Sequence, residues 1–148
     1  MTLFNRGTVD IIGGEADLAR LIDDTANGGR TIVRDARLTI RESAETDLSI
    51  GLGDAEIIVE SSSDFIATVF DFEAGDMFHF TDLDSSGLAD LTFTGFGNSG
   101  TLTIDDGGTS LDLQLISTGD LSGVTVDDFL LSESEFGGLA LETTLEFV

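Results

Sequence analysis

The chain has 148 residues, of which 41% are hydrophobic, and its 29 acidic and 6 basic residues give a formal net charge of −23. That hydrophobic content excludes a disordered tail, and the length is enough for one core, so we expect a single domain spanning residues 1–148. The absence of cysteine excludes a disulfide framework and a zinc–thiolate site. Because cations are scarce and no apolar run reaches the roughly 18 residues of a spanning helix, we expect no nucleic-acid binding and no membrane insertion.

The charge is distributed unevenly along the chain. Every basic residue is an arginine within residues 1–41, where six acids balance the six arginines, so residues 42–148 carry the whole negative excess. Clustered carboxylates attract counter-ions, and Ca²⁺ is a hard cation that prefers oxygen ligands. We therefore name Ca²⁺ as a candidate cofactor; the alternative is that the charge only provides solubility.

The first predicted element is a short helix over residues 15–24. Leu18, Leu21 and Ile22 recur at spacings of three and four residues, which is the period of a helix face. Acidic residues in its first turn suit the helix dipole, and the glycines at positions 28 and 29 would end it.

The remainder of the chain has the two-residue period of β-strands. One strand is predicted over residues 32–41, with Ile32 and Leu38 on one face and Val33 on the other. Residues 65–72 are apolar on both faces, which predicts a central, covered strand. Turn clusters separate the strands at roughly ten-residue intervals, and this spacing favours an all-β sandwich or roll of about ten short strands beside the helix. We expect an N-terminal portion (1–64) and a C-terminal portion (65–148) to share one core, and we find no evident internal repeat.

A calcium loop is the strongest metal candidate in the sequence. Oxygen ligands at positions 1, 3, 5 and 9, a glycine at position 6 and a backbone carbonyl at position 7 match the first nine places of such a loop. The glutamate expected at position 12 is replaced by Phe93, so a distant carboxylate would have to complete the site. The alternative is a turn with solvated aspartates. The predicted ligands are Asp82, Asp84, Ser86, the carbonyl of Leu88 and Asp90, completed by Asp71 or Asp76.

Two further motifs have simpler interpretations. Asp-Gly at residues 106–107, between two alternating segments, predicts a β-hairpin, a calcium ligand being the alternative. His79 is the only histidine, and on an alternating strand it faces away from Phe78 and Phe80, so we expect it to be exposed or half-buried. Because a single imidazole has no cysteine and no Gly-x-Ser-x-Gly elbow to act with, we expect no enzymatic activity.

Three arginines are candidates for self-assembly. Arg34, Arg37 and Arg41 flank one predicted strand in the neutral third of the chain. This strand could meet the acidic face of a neighbouring copy and give a head-to-tail homo-oligomer or fibre. The alternative is that these arginines pair with acids of their own chain.

Three segments in the second half of the chain follow one another in a recognisable order: residues 69–80 (VFDFEAGDMFHF), 107–115 (GGTSLDLQL) and 121–131 (LSGVTVDDFLL). Through these segments, residues 66–148 resemble the C-terminal secretion domain of proteins that Gram-negative bacteria export by type I systems. The chain end, Leu145, Glu146, Phe147 and Val148, is similar to the acidic-then-apolar ending that such exporters recognise. The tandem calcium nonapeptides of that family are missing, so a calcium-filled repeat cannot be carried over.

The resemblance implies a secreted or cell-surface location and the type I export machinery as a partner. We expect a secreted, acidic, non-catalytic β-protein, a surface-assembly or matrix component that self-assembles into filaments and depends on calcium. One alternative is an intracellular acidic protein, an inhibitor or nucleic-acid mimic, that binds a basic partner. A second alternative is a carboxylate-based hydrolase.

Overall fold

A computed structural model describes residues 1–85 and 89–146 of the chain. Within these residues the fold is all-β, as expected: thirteen strands form one curled sheet, and the only helical elements are three short 3-10 turns. The 3-10 turns are Thr25–Asn27, Ser62–Asp64 and Val126–Asp128. No helix in the described residues has the length and hydrophobicity of a transmembrane span.

The first eight strands form a solenoid-like coil. Successive coils pair in parallel: β1 pairs with β3, β2 with β4, and β3 and β4 with β5, after which β5 pairs with β6 and β7, and β6 with β8. The strands are β1 (Thr2–Asn5), β2 (Thr8–Ile12), β3 (Glu15–Asp23), β4 (Arg30–Arg34), β5 (Ala36–Ser49), β6 (Ala55–Val59), β7 (Phe65–Phe70) and β8 (Met77–Phe80).

Antiparallel hairpins end the coil on its C-terminal side. A three-stranded meander docks through β11 on β7, and a separate hairpin docks through β13 on β8. The strands are β9 (Asp90–Phe96), β10 (Ser99–Asp105), β11 (Ser110–Ile116), β12 (Phe129–Glu133) and β13 (Leu139–Thr143). The predicted Asp-Gly hairpin is confirmed, because Asp105 pairs with Ser110 across residues 106–109.

A residue in the left-handed region marks one corner of each coil after the first. These residues precede β3, β5, β6 and β8 by one or two positions and recur about every 20 residues: Gly14, Asp35, Gly53 and Gly75, with φ of 70°, 47°, 95° and 102°. Glycine and aspartate tolerate this conformation better than most residues. The expectation of no internal repeat is therefore wrong, because a degenerate repeat places two strands in each coil of about 20 residues.

The prediction of an N-terminal helix is wrong. Residues 15–23 form strand β3, which pairs in parallel with β1 and β5. Leu18 and Leu21 both face the core although they are three residues apart, because a register shift between Leu18 and Arg20 breaks the two-residue alternation. This break in the alternation along β3 produced the spacing that resembled a helix face.

Two strand predictions also need correction. The strand predicted over residues 32–41 is divided at Asp35, whose positive φ turns the corner between β4 and β5. Val33 is therefore buried and Ile32 is only half-buried. The segment predicted to be covered on both faces forms β7, which is central in hydrogen bonding, yet Ile66 on its outer face is 66% exposed.

The core consists of side chains stacked from coil to coil. Parallel register aligns equivalent positions, so each apolar residue lies above its counterpart in the next strand. One stack is Leu38, Ile57, Phe78 and Leu141, and the next is Ile40, Val59, Phe80 and Leu139. Burial of each such side chain contributes about 1.5–3 kcal/mol to folding. Both halves of the chain contribute to this one core cluster.

A buried polar cluster interrupts the apolar interior at the N-terminal end of the coil. Asp23, on β3, is 2% exposed and accepts hydrogen bonds from Asn5 Nδ2 (2.9 Å), Thr31 Oγ1 (3.0 Å) and Thr46 Oγ1. These donors lie on β1, β4 and β5, so one carboxylate connects the first three coils. Satisfied in this way, the buried carboxylate fixes the register of the coils.

We expect Asp23→Ala to lower the free energy of unfolding by at least about 3 kcal/mol, because it leaves buried donors unsatisfied. Asp112→Ala is the matched control, since Asp112 also lies on a strand and accepts a hydroxyl bond from Thr103, but is exposed. Its loss should stay within about 1 kcal/mol. Urea denaturation of both variants measures the difference, and equal losses would contradict a structural role for Asp23.

Candidate functional site

The outer face of β3, β5, β6 and β8 carries a connected network of polar side chains. In-register pairing aligns Glu15, Arg37 and Glu56 in one row across three strands. Arg37 lies between the two acids, with Nη1 at 3.0 Å from Glu15 and Nη2 at 2.9 Å from Glu56. The hydrogen bond to Glu56 raises the pKa of Arg37 above its ordinary value, so this residue is a permanent cation.

His79 continues this polar network onto β8. Its Nε2 lies 2.9 Å from Glu56 Oε1, and its Nδ1 lies 2.7 Å from Ser134 Oγ. The prediction that the ring faces away from Phe78 and Phe80 is correct in direction, because those two residues are in the core. The expected exposure is wrong, since His79 is only 1% exposed.

The turn between β12 and β13 is the reason for this burial. Phe136 in that turn lies over the Arg37 guanidinium at 4.8 Å and meets the His79 ring edge-on at 4.8 Å. Gly138 brings the turn into contact with β8: its φ is 73°, and a Cβ there would lie 2.2 Å from the carbonyl oxygen of Phe80. Only glycine allows this approach, so the turn closes over the histidine.

Two cavities flank the Glu56–His79 pair. A groove of about 630 Å³ is lined by Glu15, Arg37, Glu56 and Glu135, among others. A smaller cavity of about 280 Å³ is lined by His79, Ser134 and Glu135. Glu135 borders both cavities, while Glu56 lines only the larger one and the buried His79 only the smaller one.

The sequence of contacts from Ser134 through His79 to Glu56 has the composition of a nucleophile, a base and an acid. Ser134 is 6% exposed, and its Oγ accepts a hydrogen bond from the Phe136 backbone N–H at 3.0 Å.

Comparison of the chain with protein-family models, with curated proteins and with solved structures finds no match.

In the described part of the predicted calcium loop, Asp82 makes hydrogen bonds to another segment of the protein. Asp82 accepts hydrogen bonds from the backbone N–H and the hydroxyl of Ser62, at 2.8 and 2.6 Å. Asp84 is exposed, and Asp90 begins β9 opposite Asp105. The predicted ligands Ser86 and Leu88 lie outside the described residues.

The two completing carboxylates bind backbone amides. Asp71 Oδ1 accepts from Thr118 N at 2.8 Å, while Asp76 accepts from Ala55 N at 2.9 Å and Glu73 N at 3.1 Å. Among the described residues, the predicted calcium acids form no group of three with ligand atoms close enough to share an ion. Burial raises the pKa of Asp76 to about 7, against the opposing effect of its two amide bonds.

The proposed assembly and secretion residues have these positions. Arg34 pairs with Asp10 at 3.0 Å, and Arg41 hydrogen-bonds Asp17 at 2.8 Å, so with Arg37 all three pair with acids of their own chain. Leu145 packs partly against the core, and its carbonyl accepts from Ala74 N at 2.7 Å. Glu146 is exposed, and Phe147 and Val148 lie outside the described residues.

Sequence reasoning did not single out Glu56, Ser134 or Glu135. One signal could have found Glu56: the corner repeat aligns residue 56 with Arg37 and Glu15, an alternation of charge across neighbouring strands. Nothing local marks Ser134 or Glu135, because their place follows from docking of the last hairpin on β8.

We expect Asp76 to make stability depend on pH. Its pKa rises from an ordinary 3.8 to about 7 on folding, so the folded state holds a proton that the unfolded state has lost. Its contribution is therefore complete below about pH 4 and is lost as the pH rises through 7, by up to about 4 kcal/mol. Urea denaturation between pH 4 and 8 measures this slope.

Asp76→Asn should flatten that slope, while the control Asp112→Asn should retain it. General relief of charge repulsion acts on both variants alike, so the comparison isolates Asp76. A slope that Asp76→Asn leaves unchanged would show that the buried carboxyl does not titrate in this range.

Proposed function

We propose that this protein is a non-catalytic structural unit that assembles with copies of itself outside the cell. The single observation that carries the proposal is the outer edge of the first coil. Strand β1 pairs only with β3, and β2 only with β4, so among the described residues no strand covers their other side. An uncovered strand edge presents backbone donors and acceptors to another chain.

The composition of this edge supports pairing. Lysine and proline are two of the devices by which proteins protect exposed edges, and this sequence contains neither residue. The side chains next to the edge include two exposed apolar groups, Phe4 at 59% and Ile12 at 68% exposure. The one acid on these two strands, Asp10, is paired with Arg34.

Charge indicates that the occupant is a second copy. Residues 1–41 are neutral overall, and their arginines pair mainly with acids of the same segment, so the first coil lacks the repulsion that 23 excess charges create elsewhere. The far end of the sheet offers β9 and β12 as edge strands. Contact between these unlike ends repeats without closing and gives fibres, and Ca²⁺ is the proposed counter-ion for the acidic part.

We expect Ile12→Glu to reduce assembly at least tenfold, because it places a charge beside the open edge. The matched control is Ile66→Glu. Ile66 is as exposed as Ile12, but it lies on β7, a strand that is paired on both sides, with β5 and β11. Light scattering and sedimentation of wild type and both variants, in CaCl₂ and in NaCl of equal ionic strength, measure assembly. A wild type that stays monomeric at millimolar concentration would favour the acidic binding protein instead.

We further propose export by a type I system. The support is the ordered set of three segments and the acidic-then-apolar end described above. Truncation after Leu145 keeps its carbonyl bond to Ala74, so the variant should fold. Expressed with a type I exporter, it should remain inside the cells while the full chain reaches the medium. Equal amounts of both in the medium would contradict this part of the proposal.

A further inference from the structure

Three potential metal ligands converge beside the turn that covers His79. One nitrogen of His79 and one carboxylate oxygen each from Glu56 and Glu135 lie within 4.8 Å of one another. They come from β8, from β6 and from the turn after β12. His79 and Glu56 are fixed on neighbouring strands of the sheet, whereas Glu135 is exposed and can adjust its rotamer.

The donor set selects the class of ion. An imidazole nitrogen with two carboxylates suits Zn²⁺ and related transition metals, which bind nitrogen and oxygen ligands at about 2.0–2.2 Å. Ca²⁺ and Mg²⁺ prefer oxygen ligands alone, so this group differs in chemistry from the aspartate loop predicted from the sequence.

The neighbouring contacts orient the two fixed ligands. Ser134 Oγ lies 2.7 Å from Nδ1 and can accept its hydrogen, which leaves Nε2 to bind an ion. Arg37 bonds Glu56 through Oε2, at 3.0 Å from Nε, so Oε1 remains directed toward Nε2 of His79. Such partners are what hold metal ligands in a productive orientation.

The site is open to the ion and to water. Glu135 borders both cavities, of about 630 and 280 Å³, and these give an entry path and room for water ligands. Glu15, Glu56 and Glu135 outnumber the single cation Arg37, so the local charge attracts a divalent ion. Water in the two cavities would occupy the remaining coordination positions of the ion.

We propose that Glu56, His79 and Glu135 bind one divalent transition-metal ion of the Zn²⁺ type. The ion connects the β12–β13 turn to β6 and β8, and so fixes the last hairpin on the coil. This inference is independent of self-assembly, because it needs only one copy of the chain.

Calorimetric titration of the chelator-treated chain with ZnCl₂ tests the proposal. The expected result is one Zn²⁺ per chain, retained in the presence of excess CaCl₂ or MgCl₂, and a melting temperature that rises with ZnCl₂. Glu135→Gln should weaken binding at least about tenfold, because one of three ligands is lost. Glu45→Gln, which removes the same charge from an exposed position on β5, should bind like wild type.

The single histidine provides a readout that needs no variant. The ¹⁵N resonance of His79 Nε2 should shift on addition of one equivalent of ZnCl₂, since no other imidazole contributes to the spectrum. Absence of stoichiometric binding would overturn the proposal. So would an unshifted imidazole, displacement by Ca²⁺ at equal concentration, or equal weakening by Glu135→Gln and Glu45→Gln.

Discussion

Parallel backbone pairing between successive coils is the constraint on which the rest of the structure depends. Once β3, β5, β6 and β8 are in register, every side chain has an equivalent neighbour one strand away. Inside, this alignment produces continuous apolar stacks. Outside, it brings Glu15, Arg37 and Glu56 into one row and places His79 within reach of Glu56. The same register that forms the core therefore also forms the candidate site, and buried Asp23 fixes it in the first three coils.

The all-β class followed from the sequence because alternation depends only on which face of a strand is buried. The arrangement of the strands did not follow, since a ten-residue spacing arises both in antiparallel sandwiches and in a coil with two strands per turn. The helix error has a local cause: the register shift after Leu18 puts Leu21 on the same face, at helix-like spacing. The corner at Asp35 was not predicted either, because in the sequence an aspartate in the left-handed region looks like any polar residue of a strand.

The candidate site was less predictable than the fold. His79 was recognised as a residue facing away from the core, but its burial depends on a turn 55 residues further along the chain. Such a contact leaves no periodic signal, because neither Ser134 nor Glu135 belongs to a strand. The aspartates that matched a calcium loop show the converse: Asp71, Asp76 and Asp82 bind backbone amides and hold turns together. Aspartates at the spacing of metal ligands therefore also arise where carboxylates accept hydrogen bonds from the backbone of tight turns.

The order of strand pairing also has a kinetic consequence. Hairpins such as β10–β11 join residues close in sequence and form on a microsecond timescale, whereas each parallel coil must close a loop of about 20 residues against an existing template. The antiparallel strands β9–β13 follow the coil strands in the sequence, so the ribosome makes them after the coil. We therefore expect folding to start from these hairpins and to propagate backwards to the first coil. During synthesis the coil strands would therefore leave the ribosome before the hairpins that template them.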